Sequence, residues 1–161
     1  GGTDATTPVD LGTDLGRPDL GGPDLGPALE LHAEGPAFYT CNCHHGCGPG
    51  IDGTFSLVVT NSGTTDVSIQ VRDVVLTPSA GGTALSAAGL GHYTVMGSTA
   101  GHLYTVPAGT VLYTTVTPYY DVTRTMPGSF RLDVPLMVDA TPYTVTLDPV
   151  SVTTMVTPGC P

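Results

Sequence analysis

Apolar and polar positions alternate with a period of two along most of the chain beyond residue 27. In Leu29-Glu30-Leu31-His32-Ala33 the apolar residues share one side and the polar ones the other, the mark of a half-buried strand. The stretch 54–60 repeats it, with Phe55, Leu57 and Val59 against Ser56 and Val58. It runs into Asn61-Ser62-Gly63-Thr64, whose Asn and Gly tolerate the backbone of a tight hairpin. The expected partner strand spans 66–76, with Val67, Ile69 and Val71 inward and Ser68, Gln70 and Arg72 outward. Its alternation breaks at Asp73-Val74-Val75, which predicts a bulge or a change of sheet. Further strands are predicted at 93–96, 103–106, 110–117, 129–138 and 143–156, the last interrupted at Pro149. Gly, Pro or Asp marks every interval, and no window keeps a helical period. Seven to nine short strands so spaced predict an all-β fold, an immunoglobulin-like antiparallel β-sandwich over residues 28–161, with a small barrel as the alternative.

Residues 1–27 follow a different rule. Asp-Leu-Gly recurs at Asp10, Asp14, Asp19 and Asp24 among Gly and Pro, a composition too polar to repay backbone ordering. It predicts a flexible N-terminal tether. This stretch is similar to the Asp/Gly/Pro linkers that follow the lipidated cysteine of Gram-negative outer-membrane lipoproteins. The resemblance implies a lipid anchor and a place in the periplasm or at the outer-membrane surface. The run from Phe55 through the Asn-x-Gly turn to Val67 resembles the paired strands of bacterial cell-surface Ig-like modules of the CARDB type. That resemblance implies a spacer, adhesion or binding role and carries no catalytic residues.

Charge narrows the partners. The chain has 161 residues, fourteen acids, four arginines and no lysine, for a formal net charge of −10. Half the acids precede residue 35, so residues 1–34 carry −6 and the remainder only −4. Without lysine there is no Schiff-base or P-loop chemistry, and a pI near 4.4 disfavours nucleic acid and anionic membrane surfaces. No apolar run approaches the roughly 18 residues of a membrane-spanning helix. Nucleophile motifs are missing. Gly97-Ser98-Thr99-Ala100-Gly101 has Thr at its centre and reads as a turn, and Asp121, Asp133, Asp139 and Asp148 are not spaced as an acid/base pair. The chain therefore reads as non-catalytic. Tyr113, Tyr119, Tyr120 and Tyr143 are candidates for an aromatic sugar-binding face or for strand edges.

One segment stands apart: Cys41-Asn42-Cys43-His44-His45-Gly46-Cys47, with a fourth cysteine at Cys160. An even count outside the cytoplasm favours two disulfides. Cys41 and Cys43 would make a strained bridge with each other, so one is expected to pair with Cys160 and the other with Cys47. A bridge to Cys160 would contribute on the order of 3–5 kcal/mol by closing most of the domain. The alternative is a soft-metal site for copper or zinc built from Cys41, Cys43, His44, His45 and Cys47, joined by His92, Met96 and His102. The spacing matches neither zinc-ribbon nor haem-attachment motifs. No other cofactor is implied. The primary expectation is a tethered, disulfide-locked binding or assembly module; periplasmic metal binding is the second, and self-assembly through exposed Thr/Val-rich edges the third.

Overall fold

The computed structural model describes residues 28–41, 50–124 and 126–155. The expected tether at 1–27 lies outside them. Ten strands and one helical turn follow in chain order: β1 (Leu29–Cys41), β2 (Gly50–Asn61), β3 (Val67–Val71), β4 (Val75–Pro78), β5 (Leu85–Ser86), α1 (Ala87–Leu90), β6 (Gly91–Val95), β7 (Leu103–Val106), β8 (Thr110–Asp121), β9 (Gly128–Val138) and β10 (Thr141–Met155). The architecture is an immunoglobulin-like β-sandwich. One layer runs β6-β8-β2-β1. The other is built on β9, with β10 along one edge and β4 and β3 in succession along the other; β5 extends β4 and β7 extends β3.

The layers are joined on one side by β1 and β10. β1 pairs antiparallel with β2 from Leu29 to Thr40, and its end, Phe38 to Cys41, also pairs parallel with Val152 to Met155 of β10 on its other edge. Register slips between Glu34 and Ala37 in β1 and between Leu147 and Val150 in β10 bend the two strands just ahead of the stretch where they pair with each other. Pro149, expected to interrupt the last strand, sits in the second slip, and β10 continues through it.

The inward positions of the period-two pattern form the core. Leu31, Ala33, Phe55, Leu57, Val59, Ile69, Val71, Leu132, Val134 and Leu136 are all buried in one cluster between the layers. Phe38 lies over Gly53 on β2, where any side chain would occupy the space of its ring. Tyr120 is fully buried and its hydroxyl donates to the Val74 carbonyl, so its polar end is satisfied inside the core. Burial holds its phenol well above the usual tyrosine range.

Two expectations about connections need correction. The Asn61-Ser62-Gly63-Thr64 turn does not close a hairpin. β2 is flanked by β1 and β8 on its two edges, so no edge is left for β3, which lies in the opposite layer. Asn61 makes the crossing possible. Its buried amide donates to the carbonyls of Thr65 and Val106 and its oxygen accepts from Gly63 N–H, tying the turn to the far layer. The segment 66–76 is two strands, broken where the alternation breaks. Asp73 holds that break by accepting from Val74 N–H, Ala88 N–H and the Ser86 hydroxyl. The same Ser86 caps α1 by accepting from Gly89 N–H, in a place where no helix was expected.

Candidate functional site

Of the expected cysteine and histidine ligands, Cys43, His44, His45 and Cys47 lie outside the described residues, as does Cys160, the expected disulfide partner. Cys41 ends β1, and its backbone stands in register with Met155 of β10, five residues before Cys160. Topology thus brings the start of the Cys/His segment alongside the strand that leads to the fourth cysteine.

The second expected ligand set is spread over two faces. On β6, His92 and Thr94 point outward while Tyr93 and Val95 point to the core. His92 stacks on Tyr119 of β8, with ring centres 5.4 Å apart. His102, in the turn before β7 with a φ of 57°, stacks on Tyr93 at 4.5 Å. His92 and His102 therefore lie on opposite sides of β6. Met96 is past the end of β6 and exposed on the outer side. Among the described residues, no three His, Cys, Asp or Glu side chains come together as a metal site.

The segment 97–101 is a turn, as its sequence predicts. The Ser98 hydroxyl donates to the Val95 carbonyl and the Thr99 hydroxyl to Leu103, so both serve the turn itself. Asp133 accepts from Arg131 and from the Thr146 hydroxyl, and Asp139 accepts from Ser68 N–H.

The register assembles a group that spacing along the chain does not show. Tyr39, Asp52, Tyr119 and His92 stand directly opposite one another across β1, β2, β8 and β6. Gly50 leaves the space in which the Tyr119 ring packs. Partial burial raises the Asp52 carboxyl above its usual value, opposed by the attraction of His92. Burial also raises Tyr119, aided by the charges of Asp121 and Asp52. The four residues come from strands up to about eighty positions apart, so only strand order and register could reveal them.

The same outer surface carries an apolar group on β8. Tyr113 is 69% exposed and Val111 47%. Met96, 70% exposed, continues from β6 with its N–H donating to the Thr115 carbonyl, which sets it beside β8 near Tyr113. Val58, between His32 and Tyr113 in register, is 3% exposed although it points outward. Thr94, Thr115, Thr117, Ser56 and Thr60 make up the neighbouring surface, which is free of charge over β8 until Asp121.

No protein-family model matches the chain, and no curated protein matches it. Among solved structures it is similar to a family 123 glycoside hydrolase from Clostridium perfringens, with 9% identity over 81% of this chain and 28% of that one and a TM-score of 0.49. It is similar to PapD-like domain 7 of human CEP192, with 11% identity over 81% and 87% of the two chains and a TM-score of 0.42. The CooA pilin subunit from enterotoxigenic Escherichia coli is a third, with 18% identity over 74% and 89% and a TM-score of 0.36.

Proposed function

We propose that the protein is a non-catalytic binding or assembly module of a bacterial surface, secreted, held to a membrane by its N-terminal segment, and making contact through the outer face of the β6-β8-β2-β1 layer. The observation that carries this reading is the group Met96, Val111 and Tyr113, exposed together where Thr and Ser of β6, β8 and β2 line the surface, with the charged side chains Glu30, Glu34 and Asp52 further off on β1 and β2. Single exposed apolar side chains are ordinary, whereas neighbouring ones beside the uncharged stretch of β8 favour contact with another surface. Hydroxyl-bearing neighbours supply hydrogen bonds at little desolvation cost.

The test compares the wild-type chain with Met96→Ser/Tyr113→Ser, which leaves the main chain of the sheet unchanged. Immobilised wild-type protein is expected to retain components of a bacterial envelope extract that the variant loses. Equal retention by both contradicts the reading.

The disulfide lock belongs to the same proposal, with Cys160 joined to the segment that begins at Cys41. The parallel register of Cys41 with Met155 supports it, because the ends of β1 and β10, which lead toward the two segments, are neighbours. Thiol counting by mass spectrometry on natively purified protein is expected to find four oxidised cysteines. Free thiols with stoichiometric copper or zinc would overturn the lock in favour of the soft-metal site.

A further inference from the structure

On the β2 side β8 is paired from Thr110 to Val116 and again from Tyr119 to Asp121, but on its other side β6 covers only residues 116–120 and Met96 only Thr115. The chain then turns away to β7 in the opposite layer, where β7 pairs with β3. The stretch 110–114 of β8 is left with an open edge. Main-chain groups alternate sides along a strand, and the Thr115 carbonyl is the one that faces Met96. The N–H and C=O groups of Val111 and Tyr113 therefore face the same open side. Among the described residues, no other main-chain group reaches them.

Open edges in soluble proteins are usually blunted by lysine, proline, a bulge or a covering loop. Thr110-Val111-Leu112-Tyr113-Thr114 has no charged residue, no Pro and no Gly, and it is rich in strand-forming side chains. It is also self-complementary. In an antiparallel pairing about a twofold axis at Leu112, Val111 of one copy stands opposite Tyr113 of the other. Both residues' N–H and C=O groups find partners in each copy. The paired side chains are an aromatic and a β-branched residue, a favourable cross-strand combination. The pairing ends in both directions where Met96 takes over the edge, so the open length fits its own copy without overhang.

We infer that the 110–114 edge of β8 pairs antiparallel with the same edge of a second copy of this chain. The inference rests on the contact-face reading and names the partner. An acidic chain meets itself here at a stretch without charge, so local like-charge contact is avoided, while long-range repulsion between the copies persists. So short an edge buries well under the roughly 1,200 Å² of a stable interface, so the dimer is weak and matters where copies are concentrated, as on a surface. Added salt tightens it by screening the net charge.

Sedimentation equilibrium of the full chain over rising concentration, with and without reductant to separate disulfide-linked species, tests this. A reversible monomer–dimer equilibrium that strengthens with salt is expected. Val111→Lys/Tyr113→Lys places lysine opposite lysine and is expected to weaken the dimer by about tenfold or more. Val111→Lys/Tyr113→Glu places opposite charges face to face in the same register and is expected to restore it. Both side chains are exposed, and thermal melts of the variants report that the fold is intact. A dimer unaffected by the two lysines overturns the edge, and failure of the Lys/Glu variant to recover overturns the register. A wild-type chain that stays monomeric overturns self-pairing, whereas the contact-face reading is overturned only by equal retention in the Met96/Tyr113 comparison.

Discussion

Asn61 shows how one side chain decides where a chain goes next. Its buried amide satisfies two carbonyls, Thr65 and Val106, and its oxygen satisfies Gly63 N–H, beneath a turn that is itself exposed. Asn61→Ala leaves those groups without partners and is expected to lower stability by roughly 1–3 kcal/mol in urea unfolding. Asn61→Asp is expected to cost more at neutral pH, because a carboxylate cannot donate to the two carbonyls and repels them. Asp52 gives a pH-dependent case. Its carboxyl is raised in the folded state by burial, so its favourable contribution is present when it is protonated and is lost as pH rises through the raised value. Asp52→Asn is therefore expected to raise the melting temperature near neutral pH and to lose that advantage in acid, below the ordinary carboxylate range. An equal gain at both pH values would contradict this. Asn61 was legible in the sequence as a turn former. Its tie to Val106 was not, because the bond spans forty-five positions.

At the scale of the strand, the inward residues were legible because the side-chain period is fixed by backbone geometry. Leu29, Leu31 and Ala33 turn to the core as their alternation predicts, and the break at Asp73 separates β3 from β4. Partner choice was not legible. A turn sequence compatible with a hairpin also suits a crossing, and only the occupied edges of β2 exclude the hairpin. Close packing between strands makes its own prediction. A Cβ on Gly53 would fall in the space of the Phe38 ring, and Phe38 is buried. Gly53→Ala is expected to destabilise by about 1–3 kcal/mol through overpacking. Combined with Phe38→Leu it should cost less than the sum of the two single changes, since the smaller side chain makes room. Strict additivity in chemical denaturation would contradict direct contact as the cause.

Over the whole molecule, the sandwich is joined along one side by β1 and β10 and open along the other, where β8 extends past β6. The open stretch could be read in the sequence as uncharged and strand-forming. That it is an edge depends on where β6 stops and where the chain departs for β7, which no local pattern encodes. Its exposed Val111 and Tyr113, with Met96 beside them, link the contact face to the edge that would pair with a second copy. Residue-resolved amide hydrogen exchange of the wild-type chain at low and high protein concentration tests this link most directly. The Val111 and Tyr113 amides are expected to gain protection as concentration rises, while Thr117 and Tyr119, already paired with β6, do not change. Exchange at Val111 and Tyr113 that is independent of concentration would contradict it.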